Sequence, residues 1–232
     1  MADVPLQPGT RIGEYTLVKE IGAGAAARVF AARTEGAMGF SKDVALKILH
    51  ESLANSQPQM MRSLVNEARL GCLLRHRNIV SIDELDSVDD TFYIAMEYVE
   101  GVTLEALLAR LKQADLRLPL SVILDVGIQV AEALDHAHTA IDHDGESLQL
   151  IHRDLKPGNI ILAPRVGSKV TDFGLAKVIQ RRGDYRSTRM AAGTLLYMAP
   201  ETFAGDLASV HPTVDLYAFG VLLYLLIGRD PP

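Results

Sequence analysis

The stretch from Ile151 to Leu162, IHRDLKPGNIIL, constrains the fold most, because apolar ends flank a charged centre. The centre holds Arg153, Asp154, Lys156 and Asn159, with a Pro-Gly turn between the last two. Apolar ends of this kind predict buried, strand-like anchors, and the polar centre predicts a loop held between them. An acid, a base and an amide held in this way indicate a site for chemistry.

Composition limits the classes of protein that this chain can be. It has 232 residues, 48% hydrophobic and 22% charged, which is typical of a globular protein with a core. The net charge of −6 argues against a general nucleic-acid surface. One cysteine, Cys72, excludes an internal disulfide and fits a reducing compartment.

No targeting or spanning segment is predicted. The start, MADVPLQPGT, is polar and has no signal-peptide pattern. The longest apolar run, Ala218 to Gly228, is too short to span a bilayer and predicts a core helix. We expect a cytoplasmic protein, and an anchor beyond residue 232 of a longer parent stays open.

The first hundred residues are rich in strand patterns. A capping box at Ser56 and Gln59, followed by apolar residues every four positions up to Cys72, predicts one helix. Val-, Ile- and Phe-rich segments between turns predict five strands, at 15–21, 27–33, 43–49, 78–85 and 91–99.

The remaining residues are mainly helical in pattern. Helices are predicted at 103–111, 120–140 and 214–227, with short strands and loops between 150 and 200. The predicted fold class is therefore α+β, with a small antiparallel sheet lobe carrying one helix and a mainly helical lobe. A cleft between two such lobes is the expected place for a ligand.

Five polar elements follow one another along the chain. They are the Gly-rich IGAGAAARV, Lys47 in VALK, Glu67 among apolar helix residues, HRDLKPGN, and TDFG at Asp172. Each alone has a simpler interpretation: a hairpin turn, an edge lysine, a surface glutamate or a turn. In this order they indicate a site for a magnesium–nucleotide.

The combination identifies a family. HRDLKPGN matches the pattern H-R-D-L-x-x-x-N at every fixed position, and MAPE closes the segment at Glu201. From about Tyr15 onward the chain resembles the catalytic domain of the eukaryotic-like (bacterial-type) Ser/Thr protein kinases. The resemblance implies one kinase domain over 1–232, with an N-lobe at about 14–96, a hinge at 97–101 and a C-lobe at 102–232. That C-lobe lacks the family's last helices, so we expect a fragment that leaves an apolar face exposed.

The resemblance also implies catalytic roles. Asp154 accepts the proton of the substrate hydroxyl, and Lys156 offsets charge on the transferring phosphoryl group. Lys156 is also the residue that distinguishes a Ser/Thr-specific loop from a tyrosine-specific one. Lys47 holds the α- and β-phosphates and pairs with Glu67.

ATP and Mg²⁺ are the implied cofactors. Asn159 and Asp172 are the implied magnesium ligands, since hard oxygens suit this ion. The residues implied to contact the nucleotide are Ile21, Gly22, Gly24, Val29, Ala45, Lys47, Met96, Glu97, Val99 and Ile161.

The segment between Asp172 and Glu201 is implied to regulate activity. It contains several hydroxyls and five basic residues. We expect phosphorylation at Thr188 first and Ser187 second, because a phosphate there pairs with Arg153 and orders the loop. Trans-autophosphorylation of this kind implies a homodimer.

The family pattern assigns structural roles as well. Asp215 is expected to be a buried carboxylate that accepts backbone N–H bonds from the catalytic loop near His152 and Arg153. His152 is expected to pack below Phe173 rather than act as a base. A stack through the lobes is implied to consist of Gly71, Ile82, His152 and Phe173, and the small Gly71 predicts a looser helix.

The predicted function is a Ser/Thr protein kinase that acts on protein substrates. A non-catalytic, ATP-binding pseudokinase or scaffold is the alternative, supported by the expected truncation. The presence of Lys47, Glu67, Asp154, Asn159 and Asp172 argues against it. A small-molecule or lipid kinase is a third candidate, disfavoured because such enzymes rarely combine HRD with a lysine, MAPE and an activation segment.

Overall fold

The chain forms two compact units. The computed structural model describes residues 6–24, 27–49, 68–89, 91–142, 144–148, 150–173, 195–204 and 211–228. One unit, here called the sheet unit, consists of residues 1–72 and 81–99. The other, the helical unit, consists of residues 73–80 and 100–232.

The sheet unit is built on six antiparallel strands in the order β1-β2-β3-β4-β6-β5. Residues 68–72 of the same unit are helical. The predicted α+β class and its antiparallel sheet are thereby confirmed. The strands are β1 (Arg11–Ile12), β2 (Tyr15–Ala23), β3 (Ala27–Glu35), β4 (Ser41–Leu49), β5 (Ile82–Val88) and β6 (Thr91–Glu97).

Alternation along β4 decides which side chains face the core. Val44, Leu46 and Ile48 are buried in one apolar cluster with residues of β2, β3 and β6. Because successive side chains of a strand point to opposite faces, Ala45 and Lys47 lie on the other face. The VALK pattern of β4 therefore divides its side chains between two faces.

In the part that the structure describes, the helical unit contains three helices and a small sheet. Its antiparallel strands lie in the order β7-β8-β9. All three helices predicted from periodicity are present. The elements are β7 (Val102–Thr103), α1 (Leu104–Gln113), α2 (Leu120–His138), β8 (Ile160–Ala163), β9 (Gly167–Val170) and α3 (Thr213–Gly228), with 3₁₀ turns at Pro157–Asn159 and Pro200–Ala204.

Helix α2 forms the centre of the helical unit. Its apolar positions recur with the helical period, so that one face is buried. Gly127 lies against Leu223 of α3, where a Cβ would come 3.2 Å from the leucine Cδ2, so the two helices pack closely. Six apolar residues at this period are buried: Ile123, Val126, Val130, Ala133, Leu134 and Ala137.

Residues 73–80 belong to the helical unit although they precede a strand of the sheet unit. Asn78 Nδ2 donates to Gln129 Oε1 of α2 at 3.1 Å and to the Ser168 carbonyl at 2.8 Å. Val80 N donates to the Val170 carbonyl at 2.9 Å. The strand predicted to begin at residue 78 therefore begins at Ile82, because the preceding backbone bonds to β9.

Two helices of this unit expose apolar side chains. Helix α2 exposes Leu120, Leu124 and Ile128, which follow one another at four-residue spacing, and α3 exposes Tyr224 and Ile227. These side chains form apolar surface on the two helices. Within the described ranges, every helix is too short or too polar to cross a membrane.

Candidate active site

The predicted catalytic loop, which lies within residues 151–162, is held at both ends by buried residues, as its apolar flanks predict. Ile151, Leu155 and Ile160 are all buried. From α3, the fully buried Asp215 accepts a bond from His152 N through Oδ2 and one from Arg153 N through Oδ1, each at 2.8 Å. The predicted carboxylate anchor of the loop is confirmed.

A second side chain supports the same anchor. His138, at the end of α2, places Nε2 2.8 Å from Asp215 Oδ2. The sequence did not predict this contact, because the two residues are 77 positions apart and no local pattern marks His138. Three donors therefore surround one buried carboxylate, which offsets the cost of burying its charge.

His152 joins the catalytic loop to the segment that carries Asp172. Its Nε2 lies 2.9 Å from the Thr171 carbonyl, and its Nδ1 accepts from Asp154 N at 3.2 Å. A carbonyl only accepts, so the ring proton is on Nε2. The ring packs on Phe173 with centroids 4.7 Å apart, which confirms the predicted packing role.

Two non-glycine residues of the site have left-handed backbone conformations. Arg153 has a φ of 66° and Asp172 a φ of 65°. Such conformations cost on the order of 1–3 kcal/mol and persist only where surrounding contacts enforce them. For Arg153 the enforcing contact is the bond from its N–H to Asp215.

The structure brings together three of the predicted site residues. Lys156 Nζ donates to Asp154 Oδ2 at 2.7 Å, and Asn159 Nδ2 donates to the same oxygen at 3.0 Å. Asn159 Nδ2 also donates to the Asp154 carbonyl at 2.8 Å. The Asp154 carboxylate is partly exposed and held in one orientation by a cation and an amide.

The donor set around Asn159 fits a magnesium ion. Because its Nδ2 is turned toward Asp154, its Oδ1 is directed away from that carboxylate, and an amide oxygen is a hard donor of the kind that Mg²⁺ prefers. The Asn159 carbonyl accepts from Thr171 N at 3.0 Å, which links it to the residue before Asp172. The described residues contain no group of three or more His, Cys, Asp or Glu placed to hold a metal.

The predicted phosphate-binding residues of the sheet unit lie on neighbouring strands. Val29 of β3 is opposite Gly22 on β2 and opposite Lys47 on β4. Gly24 N donates to the Ala27 carbonyl at 2.9 Å, which closes the β2–β3 connection. A Cβ on Gly22 or Gly24 would make only ordinary contacts, so packing does not require these glycines.

The predicted adenine-binding residues are divided between the units. Ala45 of β4 is opposite Met96 of β6, both are buried, and Glu97 N donates to the Ser81 carbonyl at 2.9 Å. Val99 ends the sheet unit. Ile161, half-buried on β8, belongs to the helical unit.

Some predicted site residues lie outside the described residues. They are Glu67, with its pairing to Lys47, and the phosphorylation sites Ser187 and Thr188. Ile21, at the start of the Gly-rich segment, is described and is exposed on β2.

Comparison with known proteins supports the family that the motifs indicate. The family model for the protein kinase domain matches residues 15–232. The chain is 37% identical to the tyrosine-protein kinase MasK of Myxococcus xanthus, over 98% of this chain and 34% of that protein. It is 36% identical to the serine/threonine-protein kinase PrkC of Bacillus subtilis, over 96% and 32%. It is 34% identical to the serine/threonine-protein kinase PknA of Mycobacterium tuberculosis, over 96% and 48%.

Solved structures give the same fold. The kinase domain of Mycobacterium tuberculosis PknI superposes with a TM-score of 0.73 at 28% identity, over 99% of this chain and 79% of that one. The chain spans a third to a half of the length of the curated relatives it matches. On its motifs, its two units and this family match, the chain belongs to the protein kinase domain family.

Proposed function

We propose that this chain transfers the γ-phosphoryl group of ATP to serine and threonine hydroxyls of proteins. The observation that carries the proposal is the Asp154 carboxylate, held by Lys156 at 2.7 Å and Asn159 at 3.0 Å on a loop anchored to Asp215. Phosphoryl transfer depends mainly on positioning and electrostatics, and this arrangement supplies both.

Asp154 and Lys156 have distinct roles in the proposed reaction. The hydroxyl oxygen of the substrate forms a bond to the γ-phosphorus. The bond from that phosphorus to the oxygen that bridges the β- and γ-phosphates breaks, and ADP leaves with that oxygen. The hydroxyl proton passes to Asp154, which also orients the oxygen for in-line attack. Lys156 offsets the negative charge that spreads over the transferring group.

The remaining roles concern the nucleotide and the metal. When bound, Mg²⁺ would neutralise charge on the β- and γ-phosphates, and Asn159 Oδ1 and the Asp172 carboxylate would hold it. Lys47 would hold the α- and β-phosphates and pair with Glu67. The adenine ring would contact Val29, Ala45 and Ile161. The other proposed nucleotide contacts are Ile21, Gly22, Gly24, Met96, Glu97 and Val99.

The choice of serine and threonine over tyrosine is part of the proposal. It is supported by Lys156, two residues after Asp154, and by relatives named serine/threonine kinases. One relative is named a tyrosine kinase, so phosphoamino-acid analysis of the labelled product is the decisive measurement. We expect phosphoserine and phosphothreonine, and phosphotyrosine as the main product would refute the specificity.

Regulation is proposed to act through the segment between Asp172 and Glu201. Phosphorylation of Thr188, and secondarily of Ser187, would provide an anion for Arg153 and order the segment. The reaction would occur between two copies of the chain.

The proposal is tested by labelling with radioactive ATP and magnesium, comparing the wild type with Asp154→Asn. Asn keeps the shape but cannot accept the proton, so we expect incorporation to fall by about 100-fold or more. Asp125→Asn, an equal charge change on the exposed face of α2, serves as the control and should label normally. Equal labelling by the wild type and Asp154→Asn would refute the role of Asp154.

The pseudokinase alternative is separated by a binding measurement on the same proteins. A kinase should show both a rise in melting temperature with magnesium–ATP and incorporation of label. A rise in melting temperature without incorporation would favour the pseudokinase.

A further inference from the structure

Glu105, in the first turn of α1, extends its carboxylate toward the catalytic loop. A Cβ built on Gly158 would lie 3.1 Å from Glu105 Oε2 and 3.9 Å from Lys156 Cε. Both side chains therefore reach the space over Gly158, which the missing side chain of the glycine leaves open. Any larger residue at 158 would displace the carboxylate.

The charge of Glu105 is available to a ligand. The residue is exposed, and it forms no salt bridge with any other residue that the structure describes. Its influence also extends to Tyr197, which precedes the 3₁₀ turn at Pro200–Ala204. Burial first, and the charge of Glu105 second, raise the pKa of the Tyr197 hydroxyl. The side chain of Glu105 thus lies beside Gly158, and its charge acts on Tyr197.

The simplest account of Glu105 is a helix N-terminal acid, which favours the helix dipole. That account explains why an acid lies in the first turn, but it does not explain why the Glu105 carboxylate points toward Gly158. Thr103 already caps α1, because its Oγ1 accepts from Ala106 N at 3.2 Å. A carboxylate directed over Gly158, beside the catalytic lysine, calls for a second explanation.

The separation of the Glu105 and Asp154 carboxylates allows both to contact one peptide substrate. Asp154 bonds to Lys156 at 2.7 Å, and Lys156 Cε and Glu105 Oε2 lie 3.9 and 3.1 Å from the position of a Cβ on Gly158. This succession of contacts places the two carboxylates within about three residues of extended peptide, at roughly 3.3 Å per residue. A substrate whose hydroxyl lies at Asp154 can therefore bring a nearby side chain to Glu105.

We propose that Glu105 is a specificity-determining residue that binds a lysine or arginine within about three residues of the acceptor hydroxyl. The inference rests on the proposed kinase function. An exposed carboxylate with no salt-bridge partner among the described residues favours a cationic neighbour, and it disfavours an acidic one by repulsion.

The chain itself contains a segment in which arginines lie next to serine and threonine hydroxyls. In RRGDYRSTRM, Arg186 precedes Ser187, and Arg189 follows Thr188. Both proposed phosphorylation sites therefore have arginines within three residues. The specificity of Glu105 would direct one copy of the chain toward the activation segment of another.

The test uses two peptides covering residues 181–192, each with Tyr185 replaced by Phe so that only Ser187 and Thr188 accept phosphate. One keeps Arg186 and Arg189, and the other carries Gln at both. For the wild type we expect kcat/KM to be about fivefold higher for the arginine peptide. In Glu105→Gln the ratio should fall to about one, with the KM for ATP unchanged.

Further variants separate recognition from a structural role. Asp125→Asn removes an equal charge elsewhere and should keep the wild-type ratio. Glu105→Arg should prefer a peptide with Glu at both arginine positions, because the attraction is then reversed. A reversed preference is not explained by loss of the helix N-terminal acid.

The outcomes are distinguishable. Failure of every protein and peptide to give product would refute the proposed kinase function. An active wild type with the same peptide ratio as Glu105→Gln would overturn the inference and leave the kinase function intact. The inference is also overturned if Glu105→Gln lowers kcat/KM equally for both peptides and lowers the melting temperature, since Glu105 then supports α1 only.

Discussion

At the scale of single residues, Gly71 decides how closely the helical residues 68–73 approach β5. A Cβ built on Gly71 would lie 2.7 Å from Ile82 Cδ1, closer than real side chains approach one another. Ile82 is buried, so this methyl group has little room to move. The space that the small Gly71 leaves beside it is filled by Ile82.

This contact predicts that Gly71→Ala has opposite effects in two backgrounds. In the wild type the new Cβ overpacks against Ile82, and we expect the free energy of unfolding to fall by about 1 kcal/mol. In Ile82→Val, which lacks Cδ1, the same change should raise it by up to about 1 kcal/mol through helix propensity. Chemical denaturation of the four proteins measures both effects.

Additive effects in that cycle would contradict the contact. Neighbouring residues that share one space are expected to couple, whereas independent ones add. A Gly71→Ala change that stabilises both backgrounds equally would mean that Ile82 does not occupy the space beside residue 71.

The sequence predicted much of the candidate site because the residues concerned lie close together along the chain. Asp154, Lys156 and Asn159 lie within six residues of one another, so their contacts follow from one loop conformation. His138 and Glu105 were missed because their partners are distant in sequence and neither belongs to a motif. Contacts made only through tertiary packing leave no periodic signal in the sequence.

At the scale of elements, periodicity predicted the helices and most strands correctly. It failed at residues 78–80, where an apolar segment preceding β5 was interpreted as part of the strand. Asn78 and Val80 instead form hydrogen bonds within the helical unit, with α2 and β9. Strand propensity was overridden by tertiary hydrogen bonds that only the folded unit provides.

Gln129 of α2 is the acceptor that joins these elements. Its Oε1 accepts from Ser168 N at 2.6 Å and from Asn78 Nδ2 at 3.1 Å. Ser168 is buried, so its N–H has no water to replace a lost partner. We therefore expect Gln129→Ala to lower the free energy of unfolding by about 1–3 kcal/mol in chemical denaturation.

Gln129→Glu is the matched control. A carboxylate oxygen still accepts from both donors, so this variant should retain most of the stability. If the Ala and Glu variants were equally destabilised, the hydrogen bonds would not be the cause, and the loss would come from packing around α2.

At the scale of the whole molecule, the order of motifs predicted the family and the α+β class. The order cannot reveal the boundary between the units, since residues 73–80 fold with elements that follow them by 50 to 90 positions. Hydrophobic patterning predicts that α2 and α3 each bury one face. It does not predict what covers the opposite face of either helix.

The exposed faces of α2 and α3 predict self-association of the isolated chain. Leu124 and Ile128 of α2 and Tyr224 of α3 are each more than half exposed, and a helix that is apolar all round is normally covered. We expect the average mass in sedimentation velocity to rise with protein concentration, and Leu124→Lys with Ile128→Lys to reduce that rise. Val166→Lys places the same charge at an isolated exposed position in the β8–β9 turn and should change nothing. A wild type that stays monomeric at every concentration would contradict the prediction, because apolar faces of this kind in water lower their free energy by meeting one another.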